Sequence, residues 1–164
     1  MAQALVIMGV SGSGKSTIGE LLSEQLGWPF LDGDKYHPEA NVAKMSAGHP
    51  LNDDDRRPWL ERLHALIREH LDRGASVIIG CSALKESYRK ILKGELDNVR
   101  FVFLEGSYDL ILERMQARQH FMKPKMLKSQ FETLEPPQEA ITVSIAEPAE
   151  QVTERIISKL KTAP

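Results

Sequence analysis

Cysteine is nearly absent from this chain of 164 residues, and long hydrophobic runs are missing altogether. Cys81 is the only cysteine, so no disulfide can form within the chain, which suits a reducing compartment. No apolar run approaches the roughly 18 residues that span a bilayer. The short N-terminal run also lacks the basic flank of a signal peptide. These absences predict a cytoplasmic protein that has no membrane partner.

A large excess of charge of either sign is also missing. Lys and Arg number 21 and Asp and Glu number 23, so no overall field draws the chain to nucleic acid or an anionic membrane. Aromatic residues make up 6%, and the one basic cluster carries few of them, which disfavours a nucleic-acid partner. The hydrophobic share of 41% supports a real core at this length, and we expect a single domain over residues 1–164.

One glycine-rich stretch organises the rest of the chain. Residues 9–16 read GVSGSGKS and fit the pattern G-x-x-x-x-G-K-[ST], between an apolar run and a helical pattern. In this context backbone N–H groups cradle a triphosphate, the lysine reaches the β- and γ-phosphates and the serine hydroxyl holds Mg²⁺. A plain glycine turn, the alternative, would not require the Lys-Ser pair. The predicted ATP-binding residues here are Gly9, Val10, Ser11, Gly12, Ser13, Gly14, Lys15, Ser16 and Thr17, and Lys15 is also predicted to be catalytic.

Strand-like runs alternate with helical patterns along the chain. Apolar runs at 3–8, 28–32, 76–81, 99–104 and 141–145 predict five strands. In one helix between them, apolar residues at 60, 63, 67 and 71 share a face, three aspartates supply the start, and Pro58 is expected in the first turn. The alternation predicts an α/β fold with a parallel sheet and helices on both faces, whose ligands bind at the carboxyl ends of the strands.

Two aspartates follow the second predicted strand. If the backbone stays extended, Asp32 and Asp34 project to the same side. Asp32, nearer the sheet, is then expected to hold Mg²⁺ or its water, and Asp34 to accept the proton of a substrate hydroxyl. The alternative is an ordinary Asx-type turn at a strand end. Their place one helix after a phosphate loop favours a transfer site.

Basic residues gather at two other places. Arg56 and Arg57 follow three aspartates, and the pattern fits surface ion pairs as well as it fits an arginine that grips an anionic substrate. Residues 115–131 contain no acid, and the basic residues around them predict a lid that closes over ATP rather than a solvated face. Arg114 and Arg118, one helical turn apart, are expected to face the nucleotide, with Arg118 also catalytic.

Several particular blocks resemble the gluconokinase family. They are the phosphate loop, DGD at 32–34 with HP at 37–38, Asn41, KM at 44–45, Gly48, PL at 50–51, Asp53, DR at 55–56, PWL at 58–60, CSALK at 81–85, HF at 120–121 and SQFETLE at 129–135. The chain departs from the usual family pattern at Gln119 and Lys123. The resemblance implies a P-loop kinase fold, a three-layer sandwich with sheet order 2-3-1-4-5 and a small helical lid, here over about 116–137. It also implies a homodimer.

The same resemblance implies ATP-dependent phosphorylation of D-gluconate at its 6-hydroxyl, with ATP and Mg²⁺ as cofactors. Two alternatives stay open: a related small-molecule kinase, such as one for shikimate, and a nucleotide-dependent switch without catalysis. The magnesium ligands are expected to be Ser16 and Asp32. The expected substrate-binding residues are Asp34, His37, Lys44, Arg56, Ser82 and Lys85.

Overall fold

The computed structural model describes residues 2–117 and 124–162, and their strands form one parallel sheet. The strands are β1 (Ala4–Met8), β2 (Phe30–Asp32), β3 (Val77–Gly80), β4 (Val99–Glu105) and β5 (Ile141–Ser144). Their order is β2-β3-β1-β4-β5, so β1 lies at the centre and pairs with both β3 and β4. The five predicted strands and the predicted order are both confirmed.

Helices connect the strands and cover both faces of the sheet. They are α1 (Lys15–Leu26), α2 (Glu39–Ser46), α3 (Asp53–Asp72), α4 (Glu86–Lys93), α5 (Tyr108–Ala117), α6 (Pro124–Thr133) and α7 (Ala149–Thr162). Within the residues described, no helix is long and apolar enough to cross a membrane.

The alternation of side chains along β1 divides the core in two. Leu5 and Ile7 face one side and pack with residues of α1, α5, α6 and α7. Ala4, Val6 and Met8 face the other side and pack with residues of α3 and α4. Since all five residues of β1 are fully buried, the strand is apolar throughout, as expected of a central parallel strand.

Helix α3 begins differently from the sequence expectation. Asn52 is the N-cap, and its side chain accepts a hydrogen bond from the Asp55 N–H at 2.8 Å while Asp55 Oδ2 accepts one from the Asn52 N–H at 2.9 Å. This reciprocal capping box starts the helix ahead of the three aspartates. Pro58 therefore falls inside the helix, in its second turn, instead of in the first turn as predicted.

Candidate active site

The phosphate loop lies between the end of β1 and the start of α1. Gly12 and Gly14 adopt φ angles of 82° and 98°, a region that residues with a Cβ rarely enter. At Gly12 a Cβ would also lie 2.7 Å from the Sδ atom of Met115 on α5. The glycines of the motif are therefore required by backbone conformation and, at Gly12, by close packing as well.

Lys15 points back into this loop. Its Nζ atom donates hydrogen bonds to the carbonyl oxygens of Gly9 at 3.1 Å and Val10 at 3.2 Å. Burial lowers the pKa of Lys15, and the nearby carboxylate of Asp34 is the largest opposing influence. The lysine and the aspartate, which are 19 residues apart in the sequence, thus interact across the site.

The backbone after β2 does not stay extended, so that premise of the sequence interpretation is wrong. Residues Gly33–Tyr36 form a 3₁₀ turn, and Asp32 caps it by accepting a hydrogen bond from the Asp34 N–H at 3.1 Å. A Cβ on Gly33 would lie 2.5 Å from the carbonyl oxygen of Gly80, so the turn packs tightly against the end of β3. The carboxylate of Asp34 is exposed, whereas that of Asp32 is half-buried.

His37 lies between Asp34 and Arg56. Its ring stacks on Trp59 with centroids 4.0 Å apart, and its Nδ1 atom lies 3.2 Å from the amide nitrogen of Asn41. Burial lowers the pKa of His37; Asp34 opposes this effect and Arg56 reinforces it. His37 is therefore a neutral ring held in a fixed orientation at pH 7.

A cavity of about 670 Å³ opens between the start of α3, the start of α4 and the last turns of α6. We call it the acceptor cavity. Arg56 lines it and donates through Nη1 to the Leu51 carbonyl at 2.9 Å and to the Tyr88 hydroxyl at 3.2 Å. Among the described residues Arg56 has no acidic group within ion-pair distance, although Asp53 and Asp54 line the same cavity.

Two residues of the acceptor cavity escaped the sequence analysis. Asp53 accepts hydrogen bonds from the Tyr88 hydroxyl at 2.6 Å and from Lys85 Nζ at 3.1 Å, and Tyr88 also lies under the charged group of Arg56. In the sequence, Asp53 is one of three aspartates at a predicted helix start, and nothing singles out Tyr88. Their pairing joins residues 35 apart, so no local pattern indicates it.

Of the six predicted substrate-binding residues, Arg56 and Lys85 line this cavity, whereas Asp34, His37, Lys44 and Ser82 do not. Lys44 forms a 2.5 Å ion pair with Asp55, the residue that also completes the α3 capping box. The backbone carbonyl of Ser82 accepts a hydrogen bond from the Gly9 N–H at 3.2 Å and so ties the segment after β3 to the phosphate loop. Both residues thus make contacts that support the site, while Arg56 and Lys85 lie on the cavity wall.

A second cavity, of about 240 Å³, adjoins the phosphate loop. Ser13, Gly14, Thr17 and Arg114 line it, together with the segment from Ile145 to Ala149 that leads into α7. Glu147 in that segment was not anticipated, and its Oε2 atom is buried without a hydrogen-bond partner among the described residues. Arg118, predicted as a catalytic and nucleotide-binding residue, lies outside the described residues.

The donor groups expected for magnesium are present at the end of β2 and the start of α1. Ser16 is exposed at the first turn of α1, and Asp32 offers a carboxylate whose Oδ1 atom accepts a hydrogen bond from the Asp34 N–H. Among the residues that the structure describes, no group of three or more His, Cys, Asp or Glu side chains gathers as a metal cluster. This set fits Mg²⁺, which takes one or two protein ligands plus phosphate oxygens and waters.

Cys81 follows β3 and is completely buried. Burial raises the pKa of its thiol to about 12, so the thiolate is not populated at neutral pH. Cys81 is therefore an inert thiol in the core behind the site.

Comparisons with known proteins place the chain in a family. The family model described as shikimate kinase matches residues 11–161. The thermoresistant gluconokinase of Escherichia coli is 44% identical over 95% of this chain and 92% of its own length. The gluconokinase of Gluconobacter oxydans is 48% identical over 81% of this chain and 75% of its own.

Solved structures agree with these relatives. The crystal structure of a gluconokinase from Sinorhizobium meliloti superposes with a TM-score of 0.86 and 44% identity, covering 97% of this chain and 91% of that one. Shikimate kinase from Aquifex aeolicus, at 22% identity and a TM-score of 0.61, shares the fold. With the sheet order, the phosphate loop and relatives that match nearly end to end, this chain is a P-loop kinase and belongs to the gluconokinase family.

Proposed function

We propose that this protein transfers the γ-phosphoryl group of ATP to the 6-hydroxyl of D-gluconate. The observation that carries the proposal is the acceptor cavity, whose lining combines the cations of Arg56 and Lys85 with hydroxyl groups and with the carboxylates of Asp53 and Asp54. Gluconate offers one carboxylate and a row of hydroxyls, so its chemistry matches that lining. The gluconokinase relatives support the same acceptor.

ATP is the phosphoryl donor, and its triphosphate and its nucleoside bind at two adjoining sites. The triphosphate lies on the backbone N–H groups of residues 9–17, with Lys15 leaving the carbonyls of Gly9 and Val10 to bind phosphate oxygens. The nucleoside occupies the 240 Å³ cavity that begins at Ser13 and Thr17. Arg114 on its wall then lies beside the nucleotide, and Arg118 retains its proposed role at the phosphates.

Gluconate binds in the acceptor cavity with its carboxylate on Arg56, because a guanidinium can hold a carboxylate through two parallel hydrogen bonds. Lys85 is the neighbouring donor, and Asp53 holds it in place together with Tyr88, whose only hydroxyl proton is donated to Asp53. His37 reaches the substrate from the Asp34 side. With the Asn41 amide donating to Nδ1, the ring proton resides on Nε2, which can donate to a substrate hydroxyl.

The chemical step needs one base and one aligned electrophile. Asp34 accepts the proton of the 6-hydroxyl while the hydroxyl oxygen forms a bond to the γ-phosphorus. The bond between the γ-phosphorus and the bridging oxygen breaks at the same time, and ADP leaves with the electron pair. Lys15 stabilises the negative charge on the phosphoryl oxygens as it spreads in the transition state.

Mg²⁺ is the proposed metal cofactor, held by Ser16 and through the free oxygen of Asp32. When bound, it neutralises charge on the β- and γ-phosphates. Lys44 contributes by fixing Asp55 and the start of α3, and Ser82 by fixing the phosphate loop, so both support substrate binding indirectly.

Two further features belong to the proposal. The chain is expected to form a homodimer, and the exposed apolar side chains of Val42 and Met45 on α2 offer a surface for it. Sedimentation analysis of the purified protein tests this, and a monomer at micromolar concentration would contradict it. A cytoplasmic location is proposed from the single reduced cysteine, and cell fractionation tests it.

The direct test of the function is ADP release in the presence of ATP, Mg²⁺ and a panel of acceptors. D-gluconate should support turnover well above other aldonates and shikimate. The phosphorylated product should carry its phosphate on carbon 6, which phosphorus and carbon NMR can establish. ADP release that does not depend on any acceptor would contradict the proposal.

A further inference from the structure

Helix α6 touches both halves of the site. Gln130 lies against Ser11 in the phosphate loop: its Oε1 atom accepts a hydrogen bond from the Ser11 N–H at 2.7 Å, and its Nε2 atom donates one to Ser11 Oγ at 3.0 Å. Ser129 and Thr133 of the same helix line the acceptor cavity. Because Gln130 and Thr133 are three residues apart, they are neighbours on the helix surface.

Helix α6 moves as one body, because its apolar side is packed along its length. Leu127 is completely buried in the core, and Phe131 packs edge-on against Tyr108 of α5. These contacts hold α6 as one rigid element, so its two polar contacts, with the loop and with the cavity, shift together.

The segment that follows α6 is fastened to the acceptor side. The Glu135 N–H donates to the Leu84 carbonyl at 2.8 Å, and the Glu86 N–H donates to Glu135 Oε1 at 3.0 Å. The buried guanidinium of Arg89 bridges the carbonyls of Ala83 at 2.7 Å and Glu135 at 2.8 Å. The end of α6 is thereby joined to the segment that carries Lys85.

We propose that Gln130 is a positioning residue that couples occupancy of the acceptor cavity to the ATP affinity of the phosphate loop. The coupling rests on the proposed function, since gluconate is the ligand that fills the cavity. Bound gluconate contacts Ser129 and Thr133 and restricts the rigid-body motion of α6, and the hydrogen bonds between Gln130 and Ser11 pass this restriction to the phosphate loop. Ordering the phosphate loop costs conformational entropy. When gluconate is bound, part of that cost has already been met, so ATP binds more tightly.

Calorimetric titration of the full-length protein tests the coupling. The probe is a non-hydrolysable ATP analogue with Mg²⁺, titrated with and without saturating D-gluconate. In the native protein gluconate should tighten analogue binding by roughly fivefold or more, and the analogue should tighten gluconate binding by the same factor. In Gln130→Ala the factor should fall to about one, with the gluconate Kd in the absence of nucleotide unchanged.

Two variants separate coupling from general damage. Gln130→Glu should keep the factor, because its carboxylate can accept from both the N–H and the hydroxyl of Ser11. Gln151→Ala removes an exposed glutamine from α7 and should also keep the factor. Thermal unfolding of each variant shows whether the fold is intact.

Three results would overturn the inference. The first is that gluconate leaves the analogue affinity of the native protein unchanged. The second is that gluconate tightens analogue binding by the same factor in Gln130→Ala as in the native protein. The third is a loss of the factor accompanied by weaker gluconate binding and a lower unfolding temperature, which would make Gln130 a structural residue. In each of these cases gluconate is still bound and phosphorylated, so the proposed function stands. Absence of gluconate binding under all conditions would overturn the proposed function together with the coupling.

Discussion

The carboxylate of Asp32 accepts a hydrogen bond from the backbone N–H of Asp34 at 3.1 Å. One acid thus fixes the turn that presents the other, and Asp34 is left exposed at the sheet edge beside Lys15. The arrangement fits the two roles proposed for them, since the half-buried Asp32 is the magnesium ligand and the exposed Asp34 is the base.

Replacing Asp34 tests its role as the base. Asp34→Asn should lower kcat with D-gluconate by about 100-fold or more, because the amide cannot accept the hydroxyl proton. Binding of ATP should change little, since the phosphate loop is intact. Steady-state kinetics and nucleotide titration measure the two effects.

The matched control is Asp72→Asn, which removes an exposed carboxylate at the end of α3, away from the site. It should leave kcat and KM unchanged. Near-normal turnover by a folded Asp34→Asn protein would remove Asp34 from the mechanism.

Arg56 and Arg57 form a matched pair for testing acceptor binding. Arg56 lines the acceptor cavity, whereas Arg57 is exposed and does not line it. Arg56→Leu should raise the KM for gluconate roughly 10- to 100-fold, the loss expected for hydrogen bonds to a charged group. Arg57→Leu should leave it unchanged. Equal KM values for the two variants would make Arg56 a structural residue.

Cys81 offers a test of the packing behind the site. Since burial raises the pKa of the thiol to about 12, iodoacetamide at pH 8 should label the native protein very slowly and the urea-unfolded protein rapidly. Mass spectrometry of the intact chain measures both rates. Rapid labelling of the native protein, without loss of structure, would show that the end of β3 is open to solvent.

The cap of α3 has an expected pH dependence. The hydrogen bond from Lys44, followed by the bond from the Asn52 backbone, holds the pKa of Asp55 below its ordinary value of 3.8. The stabilisation that Asp55 provides is therefore present above that value and is lost as the pH falls through the lower folded-state pKa. Asp55→Asn should have a lower free energy of unfolding than the native protein at pH 7, and this difference, the stability gap, should narrow toward pH 3.

Urea unfolding at both pH values measures this gap. Asp54→Asn is the control, because within the described residues the Asp54 carboxylate takes part in no hydrogen bond or ion pair. A gap for Asp55→Asn that stays constant from pH 7 to pH 3 would contradict the role given to the ion pair with Lys44.

The features that are determined by residues close together in the sequence could be predicted. The five strands, the phosphate loop and most helices follow from short periodic patterns and glycine positions. The 3₁₀ turn at Gly33 was not predicted, because it depends on the tight contact between Gly33 and Gly80. The start of α3 was misplaced although its signature, Asn52 followed three residues later by Asp55, is visible in the sequence.

The contacts that complete the site depend on residues far apart in the chain. Asp53 meets Tyr88 across 35 residues, and Ser11 meets Gln130 across 119. No local pattern encodes such pairs, since only the sheet order brings their elements together. The resemblance to a family indicated that the SQFETLE block mattered, but only the structure shows that Gln130 within it reaches the phosphate loop.

The most direct test of the account is the rate of ADP release with ATP, Mg²⁺ and D-gluconate, compared with the rate for shikimate under the same conditions. The account predicts gluconate-dependent turnover with 6-phosphogluconate as the product and little turnover with shikimate. Preference for shikimate, or ADP release at the same rate with no acceptor present, would contradict it.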